Sequence, residues 1–361
     1  MVSKLAFRNA MEAIHHLLDP APPWHDILTT ARELVGADSG SFIMFGKGQD
    51  LLMLEQTGLD ETAEREYREH FYAEDTVAKV ALAASAGTWW DSTQILPASV
   101  MEKNAFHADF LRKHRIGQIL AFIAQDDEFE QAALSFQRVT PQTAALSALT
   151  NGAVADYTQA FTKALAQRRQ ASFVQLEAIE TIFASFGEAT FLATRMGVIW
   201  RLSPLAEELL RRANMISTRD GSITHSDKKI AQRLQTTLSR VATTSASVVL
   251  TVPTTWGEAY RFDISPAHPS IKLGTESILF VRIRKSSAFS QPDVGELRAT
   301  FGITSAEARV LAALVTGHAP NDYASASGLA DRTVRNQIAA LMRKMGCNRQ
   351  SELVRLGSLL L

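Results

Sequence analysis

From Phe301 to Leu361, apolar residues recur every three or four positions, and the runs are bounded by caps and breakers. Thr304 followed by Glu307 spells a T-x-x-E capping box, which satisfies two backbone N–H groups at the head of a helix. Val310, Leu311 and Leu314 form the inner face of that helix, and Gly317 stops it. Pro320 suits a first helical position and opens a second helix, with Tyr323 and Ala324 toward the core and Gly328 as a left-handed stop. Leu329 is expected to plug the turn. A third helix is expected from Asp331 to Lys344. Val334, Ile338, Leu341 and Met345 lie on one face of it, and Arg332, Arg335, Asn336, Ala339 and Arg343 on the other. Leu353 and Leu356 mark a closing fourth helix.

A helix that is apolar behind and rich in donors in front suits packing on one side and the major groove of DNA on the other. The segment resembles the LuxR-type helix-turn-helix. The matching residues are Ile303-Thr304-x-x-Glu307, Val310-Leu311, Gly317, Ala324, Gly328, Thr333-Val334, Lys344-x-Gly346 and Arg349-x-x-x-Leu353. The resemblance implies a tetrahelical domain that acts as a homodimer on two half-sites of double-stranded DNA, with RNA polymerase as a further contact. It places Arg335, Asn336 and Ala339 at base edges and Thr333 and Lys344 at phosphate. Arg332, Gln337 and Arg343 complete the expected DNA-binding face, Gln337 standing where many members have His. The pattern also has departures. Ala330 and Ala319 replace the usual capping Ser or Thr, and Ser327 replaces a usual core Leu. A lost cap costs roughly 0.5–2 kcal/mol, although Asp331 could take over one residue later. The alternative is a scaffold with a degenerate helix-turn-helix that pairs with protein alone.

Charge follows the same division. The whole chain has a formal net charge of -1, yet from Phe301 onward seven basic residues face four acidic ones, leaving an acidic body and a slightly basic tail. That balance suits a polyanionic partner for the tail only. Cys347 is the single cysteine, so no disulfide within the chain and no cysteine cluster for zinc is expected. No apolar stretch approaches the roughly 20 residues of a membrane helix. The amphipathic start, MVSKLAFRNAMEAIHHLLDP, reads as a helix rather than a secretory leader. A cytoplasmic protein with no membrane partner is expected.

The expected fold class is multidomain α+β in four parts. A GAF-like sensor domain covers 1–140, a helical connector 141–187, a PAS-like domain 188–287 and the all-α tetrahelical tail 292–361. In the first part, helices at 5–18 and 24–36 precede strands at 41–45 and 50–55 around the turn Gly46-Lys-Gly-Gln. Helices follow near 61–71 and 76–84, then a hairpin of 116–124 and 129–138. The connector carries Leu146, Leu149, Val154, Tyr157, Phe161 and Leu165 at helical spacing, and resumes with Phe173, Leu176, Ile179 and Phe183 after the polar stretch Gln167-Arg-Arg-Gln170. Two helices, or one long broken helix, fit a coiled-coil dimer seam, and two ordinary helices each packed on its own domain fit the same pattern.

Residues 188–285 resemble a PAS domain. Two strands (189–193 and 198–202) lead to Ser203-Pro204-Leu-Ala206, then helices at 205–212 and 227–242 and strands at 246–253, 259–265 and 277–285. Trp200, Trp256 and Phe262 are candidate pocket residues or plain core. The front part also resembles the acyl-homoserine-lactone sensors in Tyr67-x-x-x-x-Tyr72-x-x-Asp75 followed by Thr88-Trp89-Trp90-Asp91. That resemblance implies ligand contacts from Tyr67, Asp75 and Trp89. However, Thr76 replaces the usual Pro and the later Gly-rich stretch is not found. Adjacent Trp89 and Trp90 point to different sides of a regular element, so at most one lines a pocket. A lactone, another unidentified small molecule, or no ligand at all remain open.

No phosphate-binding G-x-x-x-x-G-K-[ST] loop, H-E-x-x-H or G-x-S-x-G occurs, so no enzyme is expected. His15 and His16 diverge on a helix, and His107 and Asp109 read as surface. No metal site and no cofactor is expected. The helical start also argues against a receiver domain.

Overall fold

The computed structural model describes residues 3–46, 51–81, 84–95, 106–127, 130–143, 145–213, 215–219, 221–253, 258–274, 278–287 and 290–361. The chain divides into two compact units, Met1–Leu250 with Asp263–Arg282, and Thr251–Phe262 with Ile283–Leu361.

The first unit opens with α1 (Lys4–His15) and α2 (Trp24–Val35), which ends on the left-handed Gly36. Strands β1 (Ser39–Gly46) and β2 (Leu51–Thr57) pair antiparallel. Of the anticipated turn, Lys47 to Gln49 lies outside the described residues. Helices α3 (Glu61–Glu69) and α4 (Thr76–Ala81) follow, then β3 (Trp89–Asp91), α5 (Ser92–Ile95), a helical turn at Phe106–Leu111, β4 (Gln118–Asp126) and β5 (Glu130–Arg138). The sheet order is β2-β1-β5-β4-β3. The expected hairpin of β4 and β5 therefore forms, but β5 also pairs with β1 and sits in the middle of the sheet. The Trp-Trp pair contributes an edge strand that the sequence reading did not assign.

Alternation along the strands gives this sheet two apolar faces. Phe42, Met44, Leu120, Phe122, Leu134 and Phe136 pack with α1, α2 and the connector. On the other face, Leu54 and Ile119 pack with Tyr67, Val77, Phe106 and Phe110. The result is a sheet between two helical layers.

The connector comprises α6 (Ala145–Leu149) and α7 (Gly152–Ser185), a single helix of 34 residues. It is not broken at Gln167–Gln170, because the arginines there are anchors. An Arg168 Nη donates to the carbonyls of Pro20, Pro269 and Lys272 at 3.0, 3.1 and 3.0 Å. Arg169 pairs with Asp127 and with the buried Glu130. Buried ionic groups persist where they are paired and hydrogen-bonded, so polarity here marks tertiary contact rather than a helix end.

Downstream, β6 (Ala189–Ala193) and β7 (Ile199–Leu202) lead to Ser203, whose hydroxyl accepts the Ala206 N–H at 3.2 Å and starts α8 (Pro204–Arg212) on its proline. A small hairpin, β8 (Ile216–Arg219) with β9 (Ser222–His225), was not anticipated from sequence. Helix α9 (Lys228–Thr244) is capped by Asp227. Strands β10 (Val248–Pro253), β11 (Glu258–Pro266) and β12 (Leu279–Ser287) complete a second sheet of order β10-β11-β12-β6-β7.

The tail of the second unit contains α10 (Val294–Phe301), α11 (Ser305–Val315), α12 (Pro320–Ser327), α13 (Asp331–Lys344) and α14 (Gln350–Gly357). The anticipated four helices are α11 to α14. Helix α10 is additional, and its Leu297 is fully buried in the same core. No described helix is long and apolar enough to cross a membrane. Among the described residues no three His, Cys, Asp or Glu side chains gather to hold a metal.

Candidate nucleic-acid interface and sensor cavity

The tail positions α13 through its apolar side. Val334 and Leu341 are fully buried and Ile338 nearly so, against Val310, Leu311, Leu314 and Leu353. The capping box of α11 forms as spelled. The Thr304 hydroxyl accepts the Glu307 N–H at 3.3 Å, and Glu307 Oε2 accepts the Thr304 N–H at 2.7 Å. Glu307 Oε2 also accepts from Lys344 Nζ at 2.8 Å, which pins the end of α13 to the head of α11. The turn between α12 and α13 depends on Gly328, at a φ of 66°, and on the Leu329 N–H donating to the Ala324 carbonyl at 2.9 Å. Leu329 does not plug the turn. The residue is 40% exposed.

The opposite face of α13 is open. Arg332, Thr333, Arg335, Asn336, Ala339 and Arg343 are exposed, and Gln337 is half-buried. Positions 332, 335, 336, 339 and 343 fall on one stripe by helical spacing. Arg335 Nε donates to Asp331 Oδ2 at 2.9 Å in an exposed pair. Asp331 is thus engaged with Arg335 and does not cap. Ala330 stands at the N-cap with no side-chain bond, and Ala319 likewise at the head of α12. Lys344, expected to contact phosphate, is held by Glu307. Ser327 spends its hydroxyl on the Tyr323 carbonyl at 2.6 Å and is exposed.

The Glu307 carboxyl is held below its ordinary value, first by Lys344 and then by the Thr304 N–H. A carboxylate whose folded pKa is depressed contributes stability above its unfolded pKa, and that contribution is lost as pH falls through the folded value. The tail should therefore lose protection against hydrogen exchange at 305–315 as pH drops below about 4.3. Glu307→Gln should flatten that slope, and an unchanged slope would assign it to other groups.

In the first unit, the face of the sheet toward α3 and α4 encloses a cavity of about 80 Å³, lined by Leu54, Tyr67, Asp75, Phe106, Phe110 and Gln137 among others. Tyr67 Oη donates to Asp75 Oδ2 at 2.8 Å, and Asp75 Oδ1 accepts the Ala78 N–H at 2.8 Å, capping α4. Burial pushes both groups up from their ordinary values. Tyr67 and Asp75, paired in the sequence reading, are thus brought together. Trp89 is not with them. It pairs across the strands with Phe122 and packs on Phe122 and Phe136, on the opposite face of the sheet. Trp90 pairs with Ala121, a cavity-lining residue, and so shares the cavity's face. Trp200 lies away from the cavity, its indole N–H donating to Glu130 Oε2 at 2.8 Å. Phe262 is fully buried, and Trp256 lies outside the described residues. The sequence reading missed the polar ladder on the cavity's sheet wall, where Gln137 Nε2 donates to Ser41 and Ser135 at 3.2 and 3.0 Å. Its signal was the alternation of Ser39 and Ser41 in β1 with Ser135 and Gln137 in β5.

Tyr67→Phe removes the hydroxyl that satisfies a buried carboxylate oxygen. It should cost about 1–3 kcal/mol, read from urea unfolding of the first unit. A change near zero would mean that Asp75 is protonated or solvated there.

Residues 302–356 match the family model described as bacterial regulatory proteins, luxR family. This segment, with its capping box, left-handed Gly328 stop and two-faced α13, is a LuxR-type helix-turn-helix domain. No curated protein matches the chain. Solved structures show looser likenesses. The ligand-binding domain of VqsR from Pseudomonas aeruginosa has a TM-score of 0.39 at 13% identity, over 46% of this chain and 98% of that one. The N-acylhomoserine lactone dependent factor CepR2 from Burkholderia cenocepacia gives 0.35 at 12%, over 45% and 97%. The VqmA dimer of Vibrio cholerae gives 0.24 at 19%, over 50% and 86%.

Proposed function

We propose that the chain is a cytoplasmic, sequence-specific DNA-binding regulator of transcription, not an enzyme, that acts as a homodimer. The open face of α13 carries this reading. Arg332, Thr333, Asn336 and Arg343 are exposed and make no side-chain bond to a described residue, while the back of the helix is fully packed. A helix so disposed is free to enter the major groove. Arg335 and Asn336 meet base edges, Ala339 offers a thymine methyl an apolar contact, and Arg332, Thr333 and Arg343 meet phosphate. Gln337 sits at the edge of that face. Lys344 meets phosphate while remaining tied to Glu307. RNA polymerase is a further partner. Binding should weaken steeply with salt, because phosphate contacts release counterions. Arg343→Ala should lower the slope of log K against log salt by about one, measured by anisotropy on a labelled duplex. An unchanged slope would remove Arg343 from the interface.

The four-part organisation belongs to the same proposal: a GAF-like sensor, a connector, a PAS-like domain and the tail. Dimerisation is assigned to α7. Val174, Ala178 and Ile182 form an exposed stripe four residues apart, continued by Phe186 just past the helix end, with Val174, Ile182 and Phe186 at 55, 58 and 73% exposure. Exposed apolar side chains at this spacing form a seam between two helices. Ile182→Glu should convert the dimer to a monomer in sedimentation velocity. A dimer that survives the change would place the seam elsewhere.

The cavity beside Tyr67 and Asp75 is proposed as the sensor site for a small molecule. At about 80 Å³ it is smaller than the ~150 Å³ cavity that admits benzene. An acyl lactone therefore does not fit it as it stands, and a ligand must be small or must part α3 and α4 from the sheet. Trp200 acts outside this site, as a tie between the PAS-like and GAF-like parts.

A further inference from the structure

A second concavity of about 470 Å³ lies between α9 and β10, with Lys229, Arg233 and Arg240 on its helical wall and Val248–Leu250 on its strand wall. Strand β10 is terminal in its sheet, so among the described residues one of its edges has no neighbouring strand. Its sequence, Val-Val-Leu-Thr-Val-Pro, carries no charge, and Val249 is 54% exposed. Uncharged, β-branched edge strands are templates for another strand, and proteins usually blunt them with charges on the strand itself. Here the charges stand on the helix opposite and all have one sign. Lys229, Arg233 and Arg240 are exposed, and none has an ion-pair partner among the described residues.

The spacing fits an extended chain. Lys229 and Arg233 are one helical turn apart, about 6 Å along the axis, and Arg240 lies about 10 Å further on. Side chains on one face of a strand recur every ~6.7 Å. Carboxylates at alternate positions of an extended segment can therefore meet the helix cations while the segment's backbone pairs with β10. We propose that this groove binds an extended acidic segment of a partner protein by strand addition to β10, with Lys229, Arg233 and Arg240 facing its carboxylates. A nucleic-acid strand would use the cations alone and leave the edge of β10 unmatched, so the observations favour a peptide.

The test uses the full chain and a fluorescein-labelled peptide of alternating Glu and Val, read by anisotropy at low salt. Saturable binding is expected. It should weaken at least about tenfold in the double variant Arg233→Ala/Arg240→Ala, a loss of roughly 1.4 kcal/mol or more. It should also be lost when the same peptide is N-methylated at alternate residues, which removes strand donors while keeping its charge. Both substitutions are of exposed side chains, and an unchanged circular dichroism melt separates lost binding from lost folding. Three results would overturn the proposal. One is no saturable binding up to about 1 mM. Another is equal binding of the N-methylated peptide. The third is a single-stranded oligonucleotide whose binding the double variant weakens while the peptide does not bind.

Discussion

Arg169→Ala should destabilise the first unit by about 3–5 kcal/mol, the cost of stranding a buried charge by removing its partner. The charge is that of Glu130, whose carboxylate is buried on β5 and bonded to Arg169 of α7 and to the Trp200 indole of β7. Burial raises the Glu130 carboxyl above its ordinary value, and the Arg169 charge and the Trp200 bond only partly offset it. An acid with a raised folded pKa stabilises the fold when protonated, and that contribution fades as pH rises from the unfolded value through the folded one. Two consequences follow for Arg169→Ala. Its deficit should shrink as pH is lowered through the raised Glu130 value, and Glu130→Gln on top of it should recover much of the loss. The double variant then shows strong positive coupling in a double-mutant cycle. Additive losses in urea unfolding would mean that the pair contributes as two separate surface groups.

Arg335→Ala should cost about 1–3 kcal/mol of affinity, confined to one base pair of the operator. The free protein offers little competition for this side chain. Its exposed pairing with Asp331 at four residues' spacing is worth only about 0.3–0.5 kcal/mol. Asp331→Ala should therefore leave specificity in place. Lys344→Ala should instead weaken binding on all sequences alike, and part of its effect should appear as loss of tail stability, because it also frees Glu307. Binding titrations on operators substituted one base pair at a time separate these cases. A uniform loss from Arg335→Ala would make it a phosphate contact.

The tail was the most legible part of the chain because its signals are local. A capping box, a proline start and a left-handed glycine each act within four residues, so Thr304, Pro320 and Gly328 could be read directly. What the sequence left open depends on distant partners. Gln167–Gln170 looked like a break in the connector, yet Arg168 and Arg169 bond carbonyls and carboxylates up to a hundred residues or more away. Trp89 and Trp90 were both visible, but which face each took followed from the register of β3 on β4. Leu329, expected to plug the turn, is 40% exposed. In the cavity, Tyr67 and Asp75 were grouped by the resemblance to the lactone sensors, while the serine and glutamine ladder needed the β1–β5 pairing to come together.

The most direct measurement is selection of bound duplexes from a random pool by the full-length protein at near-physiological salt. Enrichment of a two-fold symmetric sequence, with two half-sites about one helical turn apart, is expected. Arg335→Ala should blur one position in each half-site and leave the rest intact. Retention of duplexes without any enriched sequence, or enrichment that Arg335→Ala and Asn336→Ala leave untouched, would contradict a sequence-reading role for the open face of α13.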